Sequence, residues 1–510
     1  MSHQVMLTPV GFGVGLSSVV HGLFHACQQN GLDVVIYKPI SQPSRNKRRP
    51  VKADSYNESN LSLPLSYVEE KMGDGEMEVV LEKIVENFST LTEKHDIVIV
   101  EGLLPTTRQP YVGRINRDVA QALSIDLVLV AAPDNDSLEE FEDRLEVSAE
   151  TYGGTKNRRL IGCIINKANS PDKDEYGLLP VENELADPVD LAVWQTLSIF
   201  RSPSFKLLGT IPWEHDLIAP RVKDIAEYLD AEIINEGDLE HRRIRSVSFC
   251  ARSVDNIVSH LAPGRLIVTP GDRADIIIAT CLSALNGTKV GALLLTTGYK
   301  PNEQVLSLCK QALDAGLPVL SVKSDTWTTS RYIMSFNPEI PEDDDQRLER
   351  VKQFVADHLN QDWLTLFTQS AERSNLLSPP AFRHKLTVLA RNADKLIVLP
   401  EGTDIRTIKA AAICAERKIA RCQLLGDKNE ILLIAEQQGI NLPPGLLITD
   451  PSEIIENYVN PMVELRKHKG LTDVVAREEL KDNVVLGTMM LQLGQVDGLV
   501  SGAVNTTANT

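Results

Sequence analysis

Short apolar runs alternate with helix-sized intervals along residues 4–215 of the chain. Five of these runs are rich in Val, Ile and Leu and cover residues 5–7, 34–37, 97–100, 127–130 and 161–165. Continuous apolar runs of this length are typical of parallel strands that helices cover on both faces. The pattern therefore predicts an open, parallel-sheet α/β domain over residues 1–215.

The same alternation predicts two further α/β units. Residues 216–332 are predicted to form a smaller α/β domain, with strands at 233–234, 266–268, 276–278, 292–295 and 319–322 and a helix over 303–315. The third unit, residues 391–510, begins with a strand at 396–399, a helix at about 406–417 and a strand at 422–425. The fold class is therefore α/β, with several domains.

Residues 333–390 are predicted to be a linker and a helical arm. The segment 338–345 (PEIPEDDD) holds two prolines and five acidic residues in eight positions, so we expect a linker or an exposed turn there. The pattern over residues 346–390 indicates mostly helix, with an interruption at residues 378–380 (SPP).

Composition excludes several classes of function. A net charge of −18 has the wrong sign for a nucleic-acid partner, and no apolar run approaches the roughly 20 residues that span a membrane. The first residues (MSHQVML) do not resemble a secretory signal, so we expect a cytoplasmic protein. The seven cysteines lie far apart without metal-binding spacing, which predicts reduced thiols and no metal site. The basic stretch at residues 44–50 (SRNKRRP) is better explained as a solvated loop than as a targeting or nucleic-acid signal.

A glycine-rich loop follows the first predicted strand and opens a helix. Residues 8–18 (TPVGFGVGLSS) lie where backbone N–H groups can cradle a phosphate. A working Walker A loop would place glycine at position 10 and lysine at position 16, which here are Val10 and Leu16. The loop therefore favours another anion, or no ligand, over nucleotide hydrolysis. The candidate residues of this weak anion site are Gly11, Gly13, Gly15, Ser17, Lys38 and Glu101.

The third unit carries three motifs suited to anionic ligands. Residues 399–407 (LPEGTDIRT) follow a strand and place Arg406 in the first turn of a helix, where an arginine suits a phosphate. Residues 464–470 (ELRKHKG) concentrate basic side chains in an acidic chain, which either an anionic ligand or a solvated helix end explains. Residues 496–510 (VDGLVSGAVNTTANT) place hydroxyl, amide and backbone N–H donors after a strand, a pattern that an ordinary loop also produces.

These three motifs, in this order, closely resemble the start of the catalytic domain of the phosphate acetyltransferase family. The whole chain resembles its long, three-domain bacterial form. The first unit is similar to the dethiobiotin-synthetase-like branch of P-loop proteins, through its glycine loop, Lys38-Pro39 and Glu101-Gly102, and the second resembles the DRTGG domain. The resemblance implies reversible transfer of an acetyl group between acetyl-CoA and inorganic phosphate, giving acetyl phosphate and coenzyme A. It also implies a homo-oligomer, with coenzyme A as substrate and no other cofactor.

The family's binding residues can be placed on this chain by motif. Arg406 and Arg466 are expected to face phosphate groups of coenzyme A or acetyl phosphate. The loop residues expected to hold phosphoryl oxygens are Ser501, Gly502, Asn505, Thr506 and Thr507. The family's serine, arginines and general base follow this loop, beyond Thr510. The sequence therefore looks truncated, and the 510-residue chain itself is expected to be inactive.

Two other functions are compatible with the sequence. The first two domains could form a catalytically silent regulatory or oligomerisation chain. An ATP-dependent ligase or an ATPase would rest on the glycine loop alone.

Overall fold

The computed structural model describes residues 3–42, 61–106, 109–171, 191–336, 340–341, 343–369 and 377–504. The chain divides into two compact units, Met1–Ser378 and Pro379–Thr510. The predicted basic stretch at residues 44–50 lies outside the described residues. Within the described residues, no helix is long and apolar enough to cross a membrane. All seven cysteines are free thiols, six of them buried.

The first domain is built on a six-stranded sheet in which every strand is parallel to its neighbours. Its elements are β1 (His3–Val10), α1 (Leu16–Gln29), β2 (Val34–Tyr37), β3 (Ile40–Ser41), β4 (Leu63–Pro64), α2 (Leu65–Gly73), α3 (Met77–Thr92), β5 (Ile97–Glu101), α4 (Val112–Leu123), β6 (Asp126–Ala131), α5 (Leu138–Thr151), β7 (Leu160–Asn166) and β8 (Lys206–Ile211). The sheet order is β2-β5-β1-β6-β7-β8, and β3 pairs separately with β4. All five predicted strands are confirmed. The sixth, β8, was missed because it is an edge strand interrupted by Gly209 and Thr210.

The second domain is a five-stranded sheet with helices on both faces. Its elements are α6 (His215–Ile218), α7 (Val222–Leu229), β9 (Glu232–Asn235), β10 (Ser246–Phe249), β11 (Arg265–Pro270), α8 (Ala274–Leu285), β12 (Ala292–Thr296), α9 (Glu303–Asp314), β13 (Val319–Ser321) and α10 (Thr326–Met334). The order is β10-β11-β12-β13-β9, and β9 alone runs antiparallel to its neighbour.

One predicted strand of this domain is wrong. Residues 276–278 lie inside α8 and not in a strand. This helix is apolar on nearly every side, so three consecutive isoleucines hide its helical period. Ile276 and Ile277 are buried against the sheet, whereas Ile278 on the outer side is 37% exposed.

The predicted helical arm is divided between the two units: its first two helices pack on the first domain, and its third helix begins the second unit. Its helices are α11 (Asp345–Asp357), α12 (Gln361–Gln369) and α13 (Pro379–Ala393). Val351, Val355 and Leu359 share the hydrophobic core formed by β1 and α1. Helix α11 lies so close to α1 that a Cβ atom on Gly22 would fall 2.1 Å from Val355 Cγ1. The absence of a side chain at Gly22 therefore sets the distance between the two helices.

Replacing Gly22 by alanine is expected to lower the free energy of unfolding by about 2 kcal/mol, because overpacking of a close helix contact typically costs about 1–3 kcal/mol. Urea unfolding followed by circular dichroism measures the loss. Gly113→Ala is the matched control: Gly113 also lies in a helix, but a Cβ atom there would meet no heavy atom of the described chain within 4 Å. This control is expected to be neutral or slightly stabilising. Equal effects of the two substitutions would contradict the packing argument.

The acidic segment differs from its prediction as a linker or exposed turn. Asp344 is only 3% exposed and caps α11 by accepting the Arg347 backbone N–H. Arg243 donates from both terminal nitrogens to the Asp344 carboxylate, from Nη2 to Oδ1 at 2.7 Å. Arg221, itself 5% exposed, pairs with Asp224 and Asp343, each at 2.8 Å. Asp343 and Asp345 are exposed, as the prediction expects, so Asp344 is the described residue that departs from it. The nearby arginines balance its buried charge.

The third domain is a four-stranded parallel sheet. Its further elements are β14 (Leu396–Leu399), α14 (Ile405–Glu416), β15 (Arg421–Leu425), α15 (Lys428–Gln437), β16 (Leu447–Thr449), α16 (Pro451–Ile454), α17 (Glu456–Arg466), α18 (Asp473–Glu479), α19 (Asn483–Gln492) and β17 (Gly498–Leu499). The predicted elements at 396–399, 406–417 and 422–425 are confirmed. The sheet order is β16-β15-β14-β17, so the chain winds from β14 to one side and returns later on its other side.

Candidate functional site

The sheet order of the third domain creates a crevice between β14 and β17. These strands are parallel neighbours, with Ile397 beside Gly498 and Val398 beside Leu499. The chain leaves β14 toward β15 on one side, whereas β17 arrives on the other. Such a reversal of strand order at the carboxyl ends of strands is where open α/β sheets bind ligands. Two of the predicted motifs meet at this point, residues 399–407 and the described part, 496–504, of the motif at 496–510.

Glu401 joins the two loops that line the crevice. Its Oε2 accepts the backbone N–H of Gly502 at 3.0 Å and that of Ala503 at 2.7 Å, and its Oε1 accepts that of Val504 at 2.9 Å. Three consecutive N–H groups that converge on one carboxylate form an anion-binding nest. Gly502 makes this turn possible, because its φ of +116° is strained for any residue with a side chain.

Arg406 reaches the same loop from the first turn of α14. Its Nε and Nη2 each donate to the Asp404 carboxylate at 3.0 Å, and Nη2 also donates to the Ala503 carbonyl oxygen. The Arg406 side chain is 70% exposed, and Nη1 has no hydrogen-bond partner among the described residues. The guanidinium is therefore held in a fixed orientation with two N–H donors left for a ligand.

Asp404 supports this arrangement electrostatically. It caps α14 by accepting the Arg406 backbone N–H at 2.9 Å. The hydrogen bond from the Arg406 side chain is the main reason that the pKa of the Asp404 carboxyl is lowered. In return, the hydrogen bond and the charge of Asp404 raise the pKa of Arg406. Asp404 is therefore ionised, and Arg406 charged, throughout the neutral range.

The basic stretch at residues 464–470 lies at the end of α17. Arg466 is the last residue of that helix, is 51% exposed and donates to Glu479 Oε2 at 3.1 Å. Lys467 pairs with Glu464 at 3.6 Å. Cations at this position complement the helix dipole, so the geometry is compatible with both explanations of the stretch. No contact joins Arg466 to the 501–504 loop in the described part of the chain.

The structure thus brings Arg406, Ser501 and Gly502 together, while Asn505, Thr506 and Thr507 lie outside the described residues. The Ser501 hydroxyl is inaccessible and has no hydrogen-bond partner among the described residues. Sequence reasoning did not assign a role to Glu401, although its motif was noted. A carboxylate just after a strand, near a Gly-rich loop, is the signal that could have suggested one.

The glycine loop of the first domain leads from β1 to α1, as predicted. Gly15 precedes the helix with a φ of +73°, and a Cβ atom there would lie 2.5 Å from Asn166 Nδ2. Leu16, at the position of the Walker lysine, is 1% exposed and belongs to the core. Ser17 donates to Glu101 Oε1 at 2.6 Å, and Lys38 lies 3.1 Å from Glu101 Oε2. The predicted residues Ser17, Lys38 and Glu101 are therefore together, but they bind one another.

Two residues at the end of β7 complete this loop and were not predicted. Asn166 Nδ2 donates to the Val14 carbonyl at 2.8 Å, and Lys167 Nζ donates to the Gly13 carbonyl at 2.8 Å. These hydrogen bonds hold the loop through its carbonyl groups. The Asn-Lys pair at the end of a strand was the sequence signal for them, because the carboxyl ends of β1 and β7 lie at the same edge of the sheet, with β6 between the two strands.

Three family models match the chain in the order of its three domains. Residues 3–221 match an AAA domain, residues 224–336 the DRTGG domain, and residues 381–510 the phosphate acetyl/butaryl transferase family. The predicted P-loop-like and DRTGG domains are confirmed. Solved structures of phosphotransacetylases also match: one from Streptococcus pyogenes, at 30% identity, covers 26% of this chain and 40% of its own, with a TM-score of 0.25.

Curated relatives match the whole chain. The phosphate acetyltransferase of Escherichia coli K12 is 44% identical over 520 residues, which cover all of this chain and 73% of that protein. The phosphate acetyltransferases of Haemophilus influenzae and Pseudomonas aeruginosa are 45% and 43% identical, over all of this chain and 73% and 72% of their own lengths. With such relatives along its full length, the chain belongs to the phosphate acetyltransferase family.

Proposed function

We propose that the crevice between β14 and β17 binds the phosphate group in the reversible transfer of an acetyl group between acetyl-CoA and inorganic phosphate. The reaction in this proposal is taken from the family to which the chain belongs. The observation that carries the site is Arg406, which is fixed by Asp404 yet 70% exposed, with Nη1 directed to no group of the described chain. A charged, oriented guanidinium of this kind suits a phosphate or an acyl phosphate.

The proposed acetyl transfer needs groups that stabilise negative charge. Attack of the coenzyme A thiolate on the acetyl carbonyl of acetyl phosphate creates negative charge on the carbonyl oxygen and on the departing phosphate. Positive groups that are already oriented stabilise such charge without reorganising during the reaction. We assign to Arg406 the binding of the phosphate group. We assign proton transfer to none of the described residues. We propose coenzyme A as a substrate and neither a metal nor a bound cofactor, because thiolate attack on an acyl phosphate uses only a base and positive groups.

The first domain contributes no nucleotide chemistry in this proposal. Buried Leu16 stands at the lysine position, and Ser17 and Lys38 are engaged by Glu101. Because relatives that are enzymes match the chain throughout, a purely regulatory chain is not favoured. We further propose a homo-oligomer, which rests on the family resemblance, and a cytoplasmic location, which the free thiols support.

The proposal is tested on the native protein as its source produces it, by thiol release from acetyl-CoA in the presence and absence of phosphate. Thiol consumption with coenzyme A and acetyl phosphate as substrates gives the KM for coenzyme A, and Arg466→Ala is compared with the wild-type protein in both directions. We expect thiol release to depend on phosphate. If Arg466 binds an anionic group of coenzyme A, the variant raises the KM for coenzyme A about tenfold, the size of a lost charge-assisted hydrogen bond. Its stability should change little, because the side chain is 51% exposed.

Lys481→Ala is the matched control, since Lys481 is an exposed cation that pairs with a nearby glutamate, as Arg466 does. It should leave both KM values unchanged. An unchanged KM for coenzyme A in Arg466→Ala would assign the basic stretch to the helix end instead. Thiol release that is independent of phosphate would contradict the proposed reaction.

A further inference from the structure

Glu401 and Arg406 both bind the backbone of the 501–504 loop, Glu401 as a hydrogen-bond acceptor and Arg406 as a donor. Glu401 accepts three backbone N–H groups of the loop, while Arg406 donates to the Ala503 carbonyl oxygen between them. Glu401 lies in the turn between β14 and α14, and Arg406 lies in the first turn of α14; both precede the loop by about 100 positions. The loop beyond β17 is therefore shaped by side chains of the neighbouring strand's turn.

The turn that carries Glu401 is itself rigid. Gly402 donates its N–H to the Leu425 carbonyl at 3.2 Å, and a Cβ atom at Gly402 would lie 2.5 Å from that oxygen. Asn483 of α19 donates its side-chain amide to the Pro400 carbonyl at 3.1 Å. The backbone on both sides of Glu401 is thus held by hydrogen bonds to other parts of the domain.

The alternative role for Glu401 is that of an internal competitor. Its carboxylate fills the nest of N–H groups that a phosphate could otherwise occupy. The two roles make opposite predictions for phosphate affinity when the carboxylate is removed: loss of a positioning group weakens binding, whereas loss of a competitor strengthens it. The three hydrogen bonds favour positioning, because a competitor would have to give up all three before a phosphate could enter the nest.

We infer that Glu401 is a positioning residue, which fixes the 501–504 loop so that the loop and Arg406 present one preformed phosphate site. This inference rests on the proposed function for the identity of the ligand. The hydrogen bonds between Glu401 and the loop are independent of that function. A carboxylate that accepts three N–H groups orders the loop before the ligand binds. Binding then costs little conformational entropy of the loop.

The test compares Glu401→Ala and Glu401→Gln with the wild-type protein. Amide hydrogen exchange at Gly502, Ala503 and Val504 should quicken at least tenfold in Glu401→Ala, and less in Glu401→Gln, which keeps one acceptor oxygen. The KM for phosphate should rise about tenfold in Glu401→Ala, with less than a twofold change in the KM for coenzyme A. Glu436→Gln, which removes the charge of an exposed glutamate on α15, controls for net charge and should change none of these values.

Each outcome decides the inference. Unchanged exchange at the three amides, or tighter binding of phosphate in Glu401→Ala, overturns it; the second result identifies a competitor. Faster exchange with an unchanged KM for phosphate also overturns it, because the loop would then be fixed without serving the substrate. If the wild-type protein shows no phosphate-dependent thiol release, the proposed function fails, whereas amide exchange still reports whether Glu401 holds the loop.

Discussion

Replacing Arg406 by alanine is expected to lower kcat/KM for phosphate about 100-fold, with less than about 0.5 kcal/mol lost in the free energy of unfolding. Loss of one preorganised donor to a developing oxyanion typically costs about 100- to 1000-fold in rate. The small stability effect follows from the 70% exposure of the side chain. Steady-state kinetics in both directions, with urea unfolding of the same samples, measure the two quantities.

The control and the conservative variant sharpen this prediction. Lys409→Ala removes an exposed cation one turn further along α14 and should leave kcat/KM within twofold. Arg406→Lys keeps the charge but loses the fork that Asp404 orients, so it should recover only part of the activity. Full activity in Arg406→Lys would show that only charge is needed. Full activity in Arg406→Ala would remove Arg406 from the site.

Arg406 also explains why the site could be found in part from the sequence. A strand, a turn with Glu-Gly and an arginine in the first helical turn are all local features, and α14 begins at Ile405, one residue before the predicted start. The carboxyl end of a parallel strand is a defined place in the fold, so local pattern is sufficient to place Arg406 there. The same reasoning placed Ser17, Lys38 and Glu101 together in the first domain.

The partners of these residues could not be predicted in the same way. Glu401 meets Gly502, Ala503 and Val504 only because β14 pairs with β17, and nothing in either motif specifies that pairing. We expected the loop N–H groups to bind a ligand. That expectation did not take into account the carboxylate of Glu401, which accepts them within the same domain. Asn166 and Lys167 were missed for the same reason, since they contact the glycine loop from more than 150 positions away.

The acidic segment shows a different limit of local pattern. Composition indicates solvent exposure, because an isolated charge is costly to bury. The compensating arginines lie 101 and 123 positions earlier in the chain, so burial of Asp344 depends on tertiary structure alone. A continuous apolar run, in contrast, is buried because its own side chains are apolar, whatever lies elsewhere in the chain. Every such run predicted as a strand in the first domain was confirmed.

Replacing Asp344 by alanine is expected to lower the free energy of unfolding by about 3–5 kcal/mol, because it leaves Arg243 without its buried counter-charge, whereas Arg221 keeps Asp224. The substitution also removes the N-cap of α11. Since α11 packs in the core of the first domain, the Met1–Ser378 unit should unfold at lower denaturant concentration. Asp344→Asn keeps an oxygen for the cap and should lose less. Asp345→Ala, at the exposed neighbouring aspartate, should change stability by less than about 0.5 kcal/mol.

The pH dependence of this loss separates the interactions that need the charge of Asp344 from packing, which does not. Burial alone would raise the pKa of the Asp344 carboxyl, but the hydrogen bonds and the charge of Arg243 outweigh it and lower the pKa. A lowered pKa means that the ionised carboxylate stabilises the fold above the ordinary aspartate pKa of 3.8, and that this stabilisation disappears as the pH falls through the lower folded-state value. The difference between wild type and Asp344→Ala should therefore be constant from pH 5 to 8 and shrink below about pH 4. A difference that stays constant down to pH 2 would assign the effect to packing, because the ion pair and the cap both favour the ionised carboxylate.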